Sequence, residues 1–392
     1  MSWNGHPVID ADCHIREYWD LDRTYKDYMD PEYREKYAQF SDAVRSRQRK
    51  PGDVGLGDLL WPRPPGHPMG MYDGFTAPKR EPRNAGNPNP SSIGNRAITG
   101  MGKEIDNACN WDPAIRLADM DVAHVDVSVM FASQSDGYCM LDDVGFESAL
   151  QRGYHRFMNN YCSEGDGRLW WIANSNIRDI DETVRQLKHW ANADKYFAGM
   201  FIPRACPDGA MLDHPRLHPI FQASQELDLP IWVHGGTGRP PLTPWVGGTN
   251  AIYHGLGGMY AMAGLVGGGV FDLFPTLRVG LFESGGGWLP WFTERLNDGF
   301  TPGSANNPLL KRTVREIVAS GQLFVSIEAE EEEIEHAVEE LGEDVWLFTT
   351  DYPHPGTPWP EGVPMVAGKN ISESAKIKMF GTNAKRFLPR LA

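Results

Sequence analysis

Five cysteines in 392 residues, none of them in a CxxC pair, argue against a disulfide framework and against a zinc–thiolate site. Cys13, Cys109, Cys139, Cys162 and Cys206 are odd in number and scattered, which fits a reducing compartment and a cytoplasmic protein. Basic residues are also short. The 37 Lys and Arg against 52 Asp and Glu give a formal charge of −15, whereas a nucleic-acid partner needs a basic face. An anionic small molecule stays open, because a pocket can be locally positive. The N-terminal MSWNGHPVID has neither a basic n-region nor an apolar h-region, so no signal peptide is read there. Long apolar runs are missing too. The most membrane-like stretch, residues 255–271, is slightly short for a span and contains seven glycines, and reads as a buried, closely packed helix. No GxGxxG follows the first apolar run, which disfavours a doubly wound dinucleotide-binding sheet.

What is present is a core-forming composition, 41% hydrophobic, with a repeating order of element types. Short apolar runs recur, most of them followed by an amphipathic segment. They are VIDADCHI (8–15), VDVSVMFAS (125–133), LWWIANSNI (169–177), FAGMFIPR (197–204), LPIWVHGG (229–236), LRVGLFES (277–284), LFVSIEA (323–329) and VWLFTTDYPH (345–354). Near-continuous apolar runs are the mark of parallel strands covered on both faces. Eight β/α units in one domain of this length predict an α/β fold, a TIM (β/α)8 barrel over residues 1–392. Residues 20–112 do not fit the repeat. They are rich in Pro, Gly and Asn, and read as an excursion after strand one that folds over the barrel mouth. Its Trp61, Met69, Met71, Tyr72 and Phe75 either line a pocket there or pack the excursion onto the barrel.

Polar residues gather at the C-terminal ends of the predicted strands, where barrels of this kind build active sites. VIDADCHIRE opens as a strand, and period-two alternation puts Asp10, Asp12 and His14 on one face. Burying such a set is costly unless a cation sits among them. Asp12, His14 and Glu17 come from the first strand and its end, His234 from the fifth, Glu283 from the sixth and Asp351 from the eighth. Two histidines and four carboxylates form a candidate metal site suited to zinc, manganese or iron. His354, three residues past Asp351, is a candidate contact to substrate or to a metal-bound oxygen, or else a loop cap. Glu328 ends strand seven and either faces the site or begins an acidic helix; His254 reads as structural. The basic run Arg45–Lys50 is either a solvated face or a docking site for CoA phosphates.

These segments resemble the amidohydrolase superfamily, in the branch related to aminocarboxymuconate-semialdehyde decarboxylase, and the resemblance implies a distorted TIM barrel. IDADCHI stands where that family has its strand-one metal motif, LPIWVHGG resembles its strand-five histidine segment, LGEDVWLFTTDYPHP its strand-eight aspartate motif, and ISESAKIKMFGTNAKRFL its closing helix. Two positions depart from the family pattern. Asp12-Cys13-His14 replaces His-x-His, and Glu283 replaces a histidine at the end of strand six. Both changes make the site more anionic, which favours a more highly charged centre. The carboxylate substitutions are similar to those of a small diiron monooxygenase offshoot, of the platensimycin and platencin type, that hydroxylates diterpenoids carried as CoA thioesters. The resemblance thus implies two iron ions, a bulky CoA-linked small-molecule substrate and an electron donor, with Glu283 and His354 at the chemistry; no nucleic acid and no membrane are expected from the charge and the short apolar runs. A homo-oligomer is compatible with it. The alternative is a hydrolase or decarboxylase of an amide, ester or aromatic carboxylate, using one zinc or manganese ion.

Overall fold

The computed structural model describes residues 3–47, 107–133, 138–139, 141–235, 249–354 and 357–392. Eight strands form one sheet in sequence order: β1 (Ile9–Ile15), β2 (Val127–Ala132), β3 (Leu169–Asn174), β4 (Phe197–Ile202), β5 (Ile231–Val233), β6 (Val279–Leu281), β7 (Leu323–Ile327) and β8 (Trp346–Phe348). Every neighbouring pair is parallel. The seam between β8 and β1 is drawn together by the Asp351 N–H, which donates to the Asp12 carbonyl at 2.9 Å, and by the His14 N–H, which donates to the Tyr352 carbonyl at 2.7 Å. The result is a nearly closed barrel with helices around it, a TIM barrel as expected.

The strands are buried along nearly their whole length, which explains their apolar runs. Trp171, Trp232 and Trp346 are fully buried on β3, β5 and β8. At ~25 cal/mol per Å2 each contributes about 4–6 kcal/mol of burial. The helices start where the sequence supplies caps. Asp112, Asp143 and Asp179 accept the backbone N–H groups of Ala114, Phe146 and Glu182, opening helices Pro113–Val122, Val144–Ser163 and Ile180–Ala193. Such caps are worth ~1 kcal/mol each. The acidic run after β7 enters its helix late, at Ile334–Leu341, because the Glu331 carboxylate accepts the N–H groups of Glu328, Gly286 and Gly287 instead.

Two regions differ from the simple repeat. Between Asp10 and Cys13 the β1–β2 register shifts, so period-two alternation breaks. Of the excursion, residues 20–44 pack on the outer helix Val144–Ser163. Tyr25 lies against Gly153, and Asp30 accepts from Arg152 at 2.7 Å and also from Arg156. Trp61, Met69, Met71, Tyr72, Phe75 and the side chains of the basic run 45–50 lie outside the described residues. Among the described residues no helix is long and apolar enough to cross a membrane. The Gly-rich segment forms helix Thr249–Gly267.

Candidate metal centre

The register shift in β1 sorts its polar residues into two layers. Asp10 does not share the site with Asp12 and His14. Its carboxyl accepts from Thr350 N–H at 3.0 Å, Thr350 Oγ1 at 2.5 Å and Asp12 N–H at 3.2 Å. Burial pushes its pKa up to about 7, so it serves as a buried tie between β1 and the end of β8.

Asp12 and His14 meet His234 and Asp351 at the C-terminal end of the barrel. His14 Nε2 lies 3.1 Å from Asp12 Oδ1 and 3.1 Å from Asp351 Oδ1, and His234 Nε2 lies 3.6 Å from Asp12 Oδ2. Donor atoms of Asp12, His14 and His234 all lie within 4.8 Å of one another, as do those of His14, Asp351 and His354. Asp12 Oδ1, His14 Nε2, His234 Nε2 and Asp351 Oδ1 are buried with no hydrogen-bond partner. Donors bound at ~2.0–2.2 Å around one ion stand ~3.0–3.5 Å apart. The spacing and the orphaned atoms therefore fit one metal ion.

The charges agree. Burial works against a charged His14, but Asp12 and Asp351 overcome it and hold its pKa well above the ordinary value. Burial also raises Asp351, yet His354 and His14 outweigh this and leave it lowered. His234 is lowered well below the usual range by burial and by the nearby His14 and Arg204. Positive charge is thus favoured at one locus, between His14 and the two carboxylates. Glu328, at the end of β7, is raised by burial and by Asp351.

Glu283 and Asp351 both adopt left-handed backbone, with φ of 51° and 55°. For non-glycine residues this costs ~1–3 kcal/mol each and tends to cluster at functional sites. Arg204, just past β4, holds the Glu283 turn. Its Nη2 donates to the carbonyls of Phe282 and Glu283, both at 2.6 Å. The Glu283 carboxyl lies 3.5 Å from His234 Nε2, 3.5 Å from His254 Nδ1 and 3.8 Å from Arg204 Nη2. Burial and Asp351 push it up to about 8. Close approach of helix Thr249–Gly267 depends on glycine: a Cβ at Gly257 would lie 2.4 Å from Arg204 Cδ, and one at Gly258 2.7 Å from Ser284 Oγ.

Of the residues expected at the site, Asp12, His14, His234 and Asp351 converge, and Glu283 stands beside His234. Glu17 belongs to neither donor group; its Oε2 accepts the Ser133 N–H at 2.8 Å. His354 stacks on His14 at 4.1 Å between centroids and places Nδ1 2.8 Å from Asp351 Oδ1. Arg204 and Ser133 were not singled out in the sequence, and His254, read there as structural, stands beside the Glu283 carboxyl. An arginine closing the apolar run FAGMFIPR was a signal for the first; Ser133 carries none.

A curated relative, the 2-amino-3-carboxymuconate-6-semialdehyde decarboxylase of Dictyostelium discoideum, is 27% identical over 298 residues, 73% of this chain and 79% of that protein. The 5-carboxyvanillate decarboxylase of Novosphingobium aromaticivorans, solved with manganese and 4-hydroxy-3-methoxy-5-nitrobenzoic acid, superposes with a TM-score of 0.64 at 20% identity, covering 98% of this chain and 96% of that one. A 2,6-dihydroxybenzoate decarboxylase bound to 2,6-dihydroxybenzoate gives a TM-score of 0.58 at 19% identity, over 74% and 90%. These findings overturn the expectation of a diiron monooxygenase acting on a CoA-linked terpenoid. These three proteins are decarboxylases, and manganese accompanies the 5-carboxyvanillate enzyme. Two irons find no support. The extra carboxylate that suggested them, Glu283, is turned toward His234, His254 and Arg204 and is in neither donor group. The amidohydrolase family model matches residues 9–390, and the chain belongs to that family.

Proposed function

We propose that this chain is a decarboxylase of a small aromatic or muconate-type carboxylate, dependent on one divalent metal ion, manganese or zinc, held by Asp12, His14, His234 and Asp351. The observation that carries this reading is the convergence of four orphaned buried donor atoms from β1, β5 and β8 in a barrel whose curated relative is a decarboxylase. When bound, the metal supplies positive charge that orients the substrate carboxylate and steadies the negative charge developing as the bond to carbon dioxide breaks.

The chain's own residues do the rest. Asp12 and Asp351 balance the cation, and His14 and His234 complete its neutral donors. Loss of carbon dioxide leaves the bonding electron pair on the substrate carbon, and a proton must replace the lost group. Glu283 is the carboxyl placed to deliver it: it stands beside His234 on one side and the half-exposed His254 on the other, which links it to solvent for reprotonation. Arg204 keeps the Glu283 turn in place and adds a positive charge within reach of a substrate anion. An oxygenase would need an electron donor and CoA recognition, and neither enters this reading. The test is carbon dioxide release from a panel of hydroxybenzoates and carboxymuconates by the manganese-loaded protein, compared with the same protein after chelation.

A further inference from the structure

Glu17 sits at the end of the strand-one motif but turns away from the donor cluster. It is fully buried, and its charge, after burial itself, raises the pKa values of Tyr138 and Tyr154. Its Oε2 shares the Ser133 N–H with the Ile15 carbonyl, at 2.8 and 3.1 Å. Ser133 is the first residue past β2, so these two acceptors fix where its side chain points. That side chain meets His354: Ser133 Oγ is 2.8 Å from Nε2.

Asp351 Oδ1 lies 2.8 Å from Nδ1 as an ion-pair contact. The Ser133 hydroxyl donates to the Ile15 carbonyl at 3.1 Å and pairs with Nε2 at 2.8 Å, so Ser133 ties the His354 ring to the end of β1. The His354 ring, clamped at both nitrogens, lies nearly parallel to His14, at 17°.

We infer that Ser133, held by Glu17, is a positioning residue that fixes the ring and tautomer of His354, and through it the orientation of the Asp351 carboxylate. This rests on the reading of Asp351 as a metal ligand. Outer partners of this kind typically change metal affinity or activity by ~10–100-fold.

The experiment combines two readouts on the full chain. Long-range 15N–1H NMR of the histidine rings reads the tautomer without metal, with the His354 signals identified by their loss in His354→Gln. Titration with manganese chloride reads affinity. Wild type is expected to show His354 in a single tautomer. Ser133→Ala should lose that fixed tautomer and bind manganese ~10-fold or more weakly, while Ser133→Thr, which keeps the hydroxyl, should restore both. Glu17→Gln keeps an acceptor oxygen and should stay within about threefold of wild type. Unchanged tautomer and affinity in Ser133→Ala would overturn the inference. So would a Glu17→Gln variant that loses manganese as fully as His234→Ala, because Glu17 would then be a ligand. Wild-type protein that binds no manganese sinks the metal reading instead, and the tautomer comparison still decides the role of Ser133.

Discussion

The backbone N–H of Asp351 donates to the carbonyl of Asp12 at 2.9 Å, so two carboxylates 339 positions apart are tied across the seam that closes the barrel. The same seam carries His14, whose N–H bonds to the Tyr352 carbonyl. The seam that closes the barrel therefore brings Asp12, His14 and Asp351 together, and His234 reaches them from just past β5.

Removing a donor should empty the site without unfolding the barrel. His234→Ala is expected to weaken manganese binding by more than the ~10–100-fold typical of an outer partner. Far-UV circular dichroism should be unchanged, since His234 lies just past the end of β5. Isothermal titration with manganese chloride checks it; full retention of binding would remove His234 from the set.

Glu283 should matter to turnover more than to binding. Glu283→Gln keeps the shape and loses the transferable proton, so kcat for decarboxylation should drop by ~100-fold or more, within the range of general acid catalysis. Manganese affinity should change little, because neither donor group includes Glu283. Steady-state kinetics beside a metal titration separate the two; equal losses in both would make Glu283 a ligand.

Arg204 is expected to carry stability as well as activity. Arg204→Met leaves the carbonyls of Phe282 and Glu283 without their charged donor and frees the left-handed turn at Glu283. Two charge-assisted hydrogen bonds of this kind are worth ~3 kcal/mol or more, which urea denaturation would read directly.

One pH dependence belongs to the scaffold. His155 is buried between helix Val144–Ser163 and β3, and its Nε2 accepts the Asn174 N–H at 3.1 Å. Burial lowers its pKa to about 4 from 6.5. Between those values the unfolded chain binds the proton and the folded chain does not, so stability rises with pH across this window and is lost as pH falls through it. At pH 5 the loss from this one group is about 2 kcal/mol. His155→Gln should flatten the urea-midpoint difference between pH 7 and pH 5, and an unchanged slope would place the acid sensitivity elsewhere.

The barrel was legible because parallel strands buried on both faces read as unbroken apolar runs, and all eight runs became strands. Asp12, His14, His234 and Asp351 were legible because each closes such a run or lies at its end. The β1 register shift was not, since alternation in VIDADCHI looks regular until pairing with β2 inserts the extra residue and moves Asp10 to Thr350. Glu17 and Ser133 could not be read either, because their bond joins residues 116 positions apart. Glu283 misled for a chemical reason. A carboxylate in place of imidazole suggests a second cation, but composition alone does not fix nuclearity; the neighbours of the carboxyl do, and here they are His234, His254 and Arg204.

The central claim is that one divalent ion among Asp12, His14, His234 and Asp351 supports loss of carbon dioxide from an aromatic or muconate-type carboxylate. The most direct measurement follows carbon dioxide release and oxygen uptake together in manganese-loaded protein given a hydroxybenzoate and carboxymuconate panel. The account predicts carbon dioxide release from at least one substrate, abolished by chelation and by His234→Ala, with no oxygen consumed. Oxygen uptake coupled to hydroxylation, or hydrolysis of an amide or ester with no carbon dioxide released, would contradict it.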